Sequence, residues 1–256
     1  MMFSDRHDSG HRLAALLFHH LGREAIVLGL PRGGVVVAHE VADALQAPLD
    51  VWVVRKIGSP LQPELALGAI SEGGGAFLDW DLARLIEVSE DEVAAVTARE
   101  QAELERRVLV YRRGQAPPLI EGRTVILVDD GLATGSTARA ALQALRAQRP
   151  AYLVFAVPVA AADSLAHLAE MADEIVCLQP VTDLRAIGEW YVDFGQTSDA
   201  EVMALLDSAE PPPRSAATSG SSGERVVAIR AAGVTLAGDL ALPEGATGLV
   251  VFAHGS

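Results

Sequence analysis

Short apolar runs alternate with longer segments of helical periodicity along most of this chain. Each run is aliphatic and rich in β-branched residues, which is typical of parallel strands that are covered on both faces. The predicted strands are Ala25–Leu30, Leu49–Val54, Thr124–Val128, Tyr152–Val157 and Glu174–Leu178. Helices are predicted between them, over residues 9–21, 35–45, 89–111, from 136 onward and over 162–171. The alternation predicts an α/β fold with a doubly wound, mainly parallel sheet of about five strands.

Two helices have distinctive sequence features. In the first, Leu13, Leu16, Leu17 and Leu21 are predicted to share one buried face. His19 and His20 are adjacent in the same segment, so a helix points them apart, and we expect them to face solvent rather than to form a metal pair. The long helix has a capping box, because Ser89 is followed three residues later by Glu92.

A hairpin interrupts the strand–helix alternation. Two strands, Ala66–Ser71 and Gly75–Leu78, flank the dipeptide Gly73-Gly74. Residues 57–64, which precede them, contain two prolines and a glycine and are predicted to form a mobile loop.

Composition limits the possible partners. The chain has 256 residues, enough for one or two domains, and a formal net charge of −14. This acidity argues against general binding to nucleic acid or to an anionic membrane, and no apolar run approaches the ~18 residues of a membrane span. Cys177 is the only cysteine and Lys56 the only lysine. A single cysteine excludes an intramolecular disulfide and fits a cytoplasmic protein.

The most informative segment follows the third predicted strand. Asp129 and Asp130 end the strand, and a loop rich in glycine and hydroxyl side chains leads into the helix that begins near Ser136. Backbone N–H groups at a helix N-terminus attract an anion, but two carboxylates repel one. A sugar phosphate satisfies both features, since carboxylates accept hydrogen bonds from its hydroxyl groups. The segment lacks the lysine of a Walker A loop and the glycine spacing of a dinucleotide fingerprint.

Two further segments carry groups suited to phosphate. Pro31-Arg32-Gly33-Gly34 follows the first strand, and its glycines permit close backbone approach while Arg32 supplies a positive charge. Arg55 and Lys56 follow the second strand, where consecutive cations suit a phosphate better than a core. Because ligands of open α/β sheets bind beyond the carboxyl ends of the strands, we expect these segments to face one crevice.

Val125–Thr137 resembles the 5-phosphoribosyl-1-pyrophosphate (PRPP) motif of type I phosphoribosyltransferases, in which four apolar and two acidic residues precede a Gly/Thr/Ser loop. The resemblance implies that Asp129 and Asp130 hold the ribose hydroxyls. It also implies that Pro31–Gly34 is a pyrophosphate loop with a cis Pro31–Arg32 peptide bond, and that the hairpin closes over the substrate. The residues that would hold the 5′-phosphate are Gly131, Leu132, Ala133, Thr134, Gly135, Ser136 and Thr137.

The reaction implied is transfer of ribose 5-phosphate from PRPP to a nitrogen acceptor, a nucleobase or related amine, with release of pyrophosphate. Arg32, Arg55 and Lys56 would neutralise the leaving group together with Mg²⁺, which is expected to be held mainly through PRPP and not by direct protein ligands. A homodimer is expected. Two alternatives remain open: a non-catalytic PRPP- or nucleotide-binding regulator, and a hydrolytic enzyme acting on sugar phosphates. No hydrolase activity is expected from the C-terminal tail unless the natural chain continues past Ser256.

An aromatic cluster lies near the end of this region, over residues 187–194. One interpretation is a hydrophobic plug at the edge of the sheet. The other places Trp190 or Tyr191 over a planar nucleobase, with Asp193 near its polar edge, in the small hood that the family resemblance implies.

The last part of the chain differs in composition. Residues 209–224 form a Pro/Ser/Gly-rich linker that cannot bury a core, so residues 1–208 are predicted to be the phosphoribosyltransferase domain. Residues 225–256 contain three predicted strands, Val226–Ile229, Thr235–Leu242 and Gly248–Ala253, and end at His254-Gly255-Ser256. This β-rich fragment resembles the start of an α/β-hydrolase of the dienelactone hydrolase type, without a nucleophile or a complete triad.

Overall fold

The computed structural model describes residues 2–63 and 65–209, together with the backbone of residues 225–231 and 234–240. The chain divides into two compact units, Met1–Ser215 and Ala216–Ser256. The helices of the described residues are α1 (Arg6–Leu17), α2 (Gly33–Leu45), α3 (Trp80–Leu85), α4 (Glu90–Arg112), α5 (Ser136–Ala147), α6 (Ala162–Leu168) and α7 (Asp199–Ser208). The strands are β1 (Ala25–Gly29), β2 (Leu49–Val51), β3 (Val54–Gly58), β4 (Ala66–Ser71), β5 (Ala76–Leu78), β6 (Thr124–Val128), β7 (Tyr152–Ala161), β8 (Glu174–Val181), β9 (Arg225–Ala231) and β10 (Val234–Leu240).

A five-stranded parallel sheet is the centre of the first unit, and it confirms the predicted α/β fold. Its strand order is β2-β1-β6-β7-β8, so β6 lies in the middle. Side chains of β6 alternate between two cores: Val125 and Leu127 join the core under α5, whereas Ile126 and Val128 join the core under α1 and α2. Burial on both faces explains why β6 reads as a continuous apolar run.

The predicted strand Leu49–Val54 is in fact divided between two sheets. Its first part is β2 of the parallel sheet, and Val54 begins β3 of an antiparallel sheet ordered β3-β4-β5. The buried Trp52 lies at the division, where its backbone N–H donates to the Gly29 carbonyl at 3.0 Å and its indole N–H donates to the Ser71 hydroxyl at 2.8 Å. Apolar burial continues across the division, so hydropathy alone does not show it. The predicted hairpin is confirmed as β4 and β5.

A buried ionic cluster connects α4 to both sheets. Arg112, at the end of α4, pairs with Glu72 beyond β4, lies 3.4 Å from an Asp50 carboxylate oxygen in β2, and donates to the Val51 carbonyl at 2.8 Å. All three charged residues are at most 8% exposed. Burial raises the pKa of Glu72, and the Arg112 guanidinium opposes this shift. The cluster therefore depends on Arg112 to keep a buried carboxylate ionised.

The N-terminal helix differs from the prediction in its last turn. α1 ends at Leu17 and continues as a 3₁₀ turn, Phe18–His20. Leu13 and Leu17 are fully buried, whereas Leu16, which lies within α1, is 48% exposed. Leu21 is 40% exposed, because the tighter 3₁₀ turn before it rotates later residues off the α-helical face. The expectation that both histidines face solvent is wrong for His20, which is 1% exposed.

Other boundaries differ by a few residues. The structure starts α2 at Gly33 instead of 35, ends α6 at Leu168 instead of 171, and extends β7 and β8 beyond their predicted ends. The capping box of α4 is confirmed, with Glu92 N–H donating to the Ser89 hydroxyl at 3.3 Å. α3 and α7 were not predicted. α7 carries its own capping box, Ser198 with Glu201, which was a usable signal.

Several of the predictions concern residues outside those that the structure describes. These residues are Glu64, the linker residues 210–224, the third predicted tail strand at 248–253 and His254–Ser256. The first two tail strands are present as β9 and β10, which pair antiparallel. Among the described helices, none has the length and apolar character needed to cross a membrane.

Replacing Arg112 with leucine is expected to destabilise the fold strongly. The substitution leaves the Glu72 carboxylate buried without its partner, which costs about 3–5 kcal/mol for a buried pair. Urea denaturation followed by circular dichroism measures the loss. Arg99→Leu is the matched control, because Arg99 is on the same helix with a side chain 70% exposed and should cost at most ~1 kcal/mol. Equal midpoints for the two variants would contradict the role of the buried cluster.

Candidate active site

The segment after β6 builds the floor of the candidate site. Gly135 caps α5 with a φ of 82°, a left-handed conformation that favours glycine. Before it, Leu132 anchors the loop: its side chain is buried, its N–H donates to the Val159 carbonyl at 2.9 Å and its carbonyl accepts from Ala161 N–H. Ala133 and Thr134 are exposed between these anchors. The loop therefore delivers the unpaired N–H groups of the first turn of α5 to one exposed position.

The loop after β1 lies directly against the acidic end of β6. A Cβ atom on Gly34 would lie 2.9 Å from the Asp129 Cα and 2.9 Å from the Val128 carbonyl oxygen. A Cβ atom on Gly33 would lie 1.9 Å from an Asp130 carboxylate oxygen. Only glycine permits this approach, which places the N-terminus of α2 beside both carboxylates. The Pro31–Arg32 peptide bond is cis, as the resemblance implies, and the Arg32 side chain is exposed.

The two adjacent carboxylates have different surroundings. Burial, followed by the neighbouring Asp130 charge, raises the pKa of Asp129 well above its usual value. Asp129 accepts a hydrogen bond from Asp130 N–H at 2.9 Å, and the Lys56 ammonium opposes the shift in its pKa. Burial thus favours the protonated form of Asp129, and added positive charge in the crevice would favour its ionised form.

Arg6 is a site residue that the sequence did not reveal. Its Nε donates to Asp130 at 2.7 Å, its Nη1 donates to the Gly195 carbonyl at 2.8 Å, and its guanidinium lies 3.9 Å from the centre of the Phe194 ring. Arg6 is 124 residues away from Asp130 in the chain. No local motif marks such a pairing, so only the tertiary fold could identify it.

The two cations of β3 have separate environments. Successive side chains of a strand point to opposite faces, and Arg55 and Lys56 follow this rule. Arg55 donates from Nε and Nη2 to the Glu100 carboxylate of α4 at 3.0 and 2.7 Å. Lys56 is exposed and acts electrostatically on Asp129. The predicted position of both cations at the end of a parallel strand is therefore wrong, since they lie within an antiparallel strand and only Lys56 lies on the side of the carboxylates.

The aromatic cluster covers the acidic end of β6. Tyr191 is 4% exposed, and its hydroxyl donates to the Asp130 carbonyl at 2.7 Å. Its ring packs on Phe3 and Phe194 at centroid distances of 5.3 and 4.9 Å. Tyr191 therefore supports the backbone of Asp130 from within the aromatic cluster. Trp190 is half-buried, and Asp193 is exposed, where it accepts from Gly195 N–H at 3.0 Å.

The structure thus brings most of the predicted residues to one crevice. The residues that meet around the N-termini of α2 and α5 are Pro31–Gly34, Lys56, Asp129, Asp130 and the loop 131–137, and the aromatic cluster contacts them through the Tyr191 hydroxyl. Arg55 is the exception because Glu100 holds it. A separate apolar cavity of about 510 Å³ lies between α4 and the turn after β4, and no residue of these loops lines it.

Comparison with known proteins identifies similar sequences and structures. Residues 7–194 match the family described as Phosphoribosyl transferase domain. Two Mycobacterium tuberculosis proteins, from strains CDC 1551 and H37Rv and provisionally named phosphoribosyl transferases, are 46% identical over the whole of this chain, which spans 59% of their length. The Bifunctional protein PyrR of Geobacter sp. strain M21 is 41% identical over 93 residues, 34% of this chain and 52% of that protein. The crystal structure of the protein TT1426 from Thermus thermophilus has 42% identity and a TM-score of 0.69, covering 82% of this chain and all of that one.

Replacing Gly34 with alanine is expected to force apart the loops after β1 and β6. The new Cβ meets backbone atoms, which cannot rotate away, so we expect a loss of about 1–3 kcal/mol in the free energy of unfolding. Gly195→Ala is the control, because its Cβ would meet only an Asp193 oxygen at 3.4 Å. Thermal unfolding of both variants measures the difference, and an unchanged melting temperature for Gly34→Ala would contradict the close approach.

Proposed function

The chain belongs to the phosphoribosyl transferase domain family, and on this premise we propose that it transfers ribose 5-phosphate from PRPP to a nitrogen acceptor and releases pyrophosphate. One observation carries the proposal. Two helix N-termini, those of α2 and α5, meet beside Asp129 and Asp130, with Gly34 in close approach to the end of β6. Such a site offers two separate positions for phosphate groups with carboxylates between them, which complements PRPP, whose 5′-phosphate and pyrophosphate flank the hydroxyls of the ribose.

In this proposal the loop 131–137 holds the 5′-phosphate. Backbone N–H groups at the first turn of α5 and the hydroxyls of Thr134, Ser136 and Thr137 supply the hydrogen bonds. Thr134 and Ser136 already lie with their oxygens 3.5 Å apart. The buried anchor at Leu132 fixes the loop before substrate arrives, so that little conformational entropy is lost on binding. Gly131, Ala133 and Gly135 contribute backbone and permit close approach.

Asp129 and Asp130 would hold the ribose hydroxyls and stabilise the cation that develops on the sugar. As the bond from C1 to pyrophosphate breaks, the ribose gains oxocarbenium character, and a fixed negative charge beside it lowers the barrier. Arg6 occupies Asp130 in the described structure, so ribose binding exchanges one hydrogen-bond donor for another. The chemistry demands orientation and charge, and little proton transfer.

The leaving pyrophosphate would lie at the N-terminus of α2. Arg32, Gly33 and Gly34 meet it from the loop after β1, and Lys56 meets it from β3. Arg55 reaches the same position only by leaving Glu100. The donor set of the crevice, two carboxylates and several hydroxyls, consists of the hard oxygen atoms that suit Mg²⁺. Mg²⁺ bound through the PRPP phosphates would neutralise charge on the leaving group, with Asp129 and Asp130 nearby.

The acceptor would lie under the hood. Of the three residues predicted to meet the acceptor, Trp190 is half-buried and Asp193 is exposed, whereas Tyr191 is buried and donates to the Asp130 carbonyl. A planar nucleobase or related amine fits a site that presents an aromatic face and a carboxylate.

We also propose that residues 1–208 are the catalytic domain, that the protein acts in the cytoplasm as a homodimer, and that residues 225–256 begin a hydrolase-like domain.

A PRPP-binding regulator is the second candidate function. The pairing of Arg55 with Glu100 favours it, because one of the three cations expected at the leaving group is committed elsewhere. Pyrophosphate release measured with PRPP, Mg²⁺ and a panel of purines, pyrimidines and other amines separates the two functions. Turnover with at least one acceptor supports the enzyme. Calorimetric binding of PRPP without turnover for any acceptor supports the regulator.

Asp130→Asn and Lys56→Ala are expected to impair different parts of the reaction. Loss of the Asp130 charge should lower kcat and raise KM for PRPP, because the ribose loses both its anchor and the stabilising charge. Loss of Lys56 should lower kcat by roughly 10²-fold, the usual cost of removing one preorganised donor, with less effect on KM. Steady-state assays of pyrophosphate release measure both.

The control for these variants is Arg106→Ala, whose side chain is 56% exposed and pairs with Glu103 on the surface of α4. It should retain wild-type turnover. Near-wild-type kcat in both Asp130→Asn and Lys56→Ala would overturn the assignment of these residues.

A further inference from the structure

A cluster of His19, His20 and Glu174 lies at the amino ends of the parallel strands, opposite the crevice at their carboxyl ends. The histidines lie in the 3₁₀ turn after α1, just before β1, and Glu174 is the first residue of β8. In a parallel sheet these are amino ends, whereas the substrate loops follow carboxyl ends. The cluster is therefore separated from the proposed PRPP site by about the length of a strand, roughly 17 Å for five residues.

Both imidazoles converge on one carboxylate. His19 Nε2 lies 3.1 Å from Oε1 and 3.2 Å from Oε2 of Glu174, and His20 Nε2 lies 3.1 Å from Oε2. One ligand atom from each residue falls within 4.8 Å of the other two. A tetrahedral ion that is ~2.0–2.2 Å from nitrogen and oxygen ligands requires them to be about 3.3–3.6 Å apart. The measured N–O separations are within a few tenths of an ångström of that spacing.

The hydrogen bonding of His19 prepares its Nε2 for a cation. His19 Nδ1 lies 3.1 Å from the Leu16 carbonyl oxygen, which only accepts, so Nδ1 carries the proton. In the neutral ring Nε2 then presents a lone pair, and this lone pair faces the Glu174 carboxylate. Two acceptors at 3.1 Å repel unless a second proton or a metal ion lies between them. An Nδ1–H donated to a backbone carbonyl is also the usual second hydrogen bond of a metal-bound histidine.

Rigid surroundings fix the other two ligands. The His20 side chain is fully buried, and the centroid of its ring lies 6.0 Å from that of the Tyr152 ring. The backbone carbonyl of His20 accepts a hydrogen bond from Arg23 N–H at 3.2 Å. β8 pairs with β7 through Glu174 and Val154, which fixes the Glu174 backbone. The Glu174 side chain is 24% and the His19 side chain 48% exposed. The cluster is thus buried on its His20 side and open to water on its outer side.

We propose that His19, His20 and Glu174 bind a borderline divalent transition-metal ion, of which Zn²⁺ is the representative, with water completing the coordination. Two imidazoles and one carboxylate suit Zn²⁺, Co²⁺ or Ni²⁺ and not Mg²⁺, which prefers oxygen ligands. The ion links the end of α1 to β8 and stabilises the N-terminal segment, which also carries Arg6. It is independent of the Mg²⁺ that accompanies PRPP.

A second group of histidines provides an internal comparison. His7 and His11 of α1 surround Glu40 of α2, with nitrogen–oxygen distances of 2.7 and 3.2 Å, and His39 Nδ1 lies 3.6 Å from the same carboxylate. His11 Nδ1 is also 2.9 Å from the His7 carbonyl. These nitrogens surround the carboxylate without converging on a common point. Among the described residues, only His19, His20 and Glu174 bring their ligand atoms close enough together to hold one ion.

Zinc titration of the full chain, untagged and freed of metal by a chelator, tests the proposal. Isothermal titration calorimetry with ZnCl₂ should show one equivalent bound without PRPP, and CoCl₂ should give the visible absorption of a four-coordinate site. Glu174→Gln, which keeps the shape of the side chain, and His19→Ala should each weaken Zn²⁺ binding roughly tenfold or more. Both residues are partly exposed, so the variants should fold, which melting curves without metal verify.

His11→Ala is the matched control and should bind Zn²⁺ as the wild type does. Zn²⁺ should raise the melting temperature of the wild type and of His11→Ala, but not that of Glu174→Gln, and MgCl₂ should not replace it. Absence of Zn²⁺ and Co²⁺ binding would overturn the proposal and leave a direct hydrogen bond between His19 and Glu174. Wild-type affinity in both Glu174→Gln and His19→Ala, or loss of binding in His11→Ala, would also overturn it.

Discussion

The close approach of two loops at the centre of the sheet is the constraint on which the candidate site depends. β1 and β6 are adjacent and in register, so the loops that follow them leave the sheet side by side. Helices α2 and α5 then begin within one crevice, and the missing Cβ atoms of Gly33 and Gly34 let the first helix reach the acidic end of β6. Parallel pairing thus places the positive ends of two helix dipoles around two carboxylates. The positive charge of the crevice therefore comes largely from helix dipoles and needs few basic side chains, in agreement with the chain's net charge of −14.

A second sheet adds the elements that the parallel sheet cannot supply. β3, β4 and β5 carry Lys56 to the crevice and present Arg55 to α4. The buried Arg112 cluster joins this sheet to β2 through Glu72 and Asp50. A buried ion pair contributes little net stability over an apolar replacement, but a broken one is costly. The cluster therefore specifies how α4 and the hairpin sit on the parallel sheet.

Local sequence patterns predicted the parallel sheet and the positions of the loops after β1 and β6. Continuous apolar runs marked the strands of the parallel sheet, and the acidic pair with its glycine-rich loop marked the end of β6 and the start of α5. The patterns did not predict where Trp52 and Val53 pass from one sheet to the other, because burial is continuous there. They also did not predict Arg6 at Asp130 or the meeting of His19 and His20 with Glu174. Those contacts join residues more than 120 positions apart, and a local sequence pattern cannot predict contacts between residues so distant in the chain.

The contact between Arg6 and Asp130 has a thermodynamic consequence. Phe3 donates its N–H to the Trp190 carbonyl and accepts from Val192 N–H, so residues 3–6 are attached both to the aromatic cluster and to the acidic end of β6. A ligand that takes the hydrogen bonds of Asp130 weakens the attachment of this N-terminal segment. By linkage, the attached segment weakens binding of that ligand by the same factor. Attachment of residues 3–6 and binding of a ligand at Asp130 are therefore coupled equilibria, each of which weakens the other.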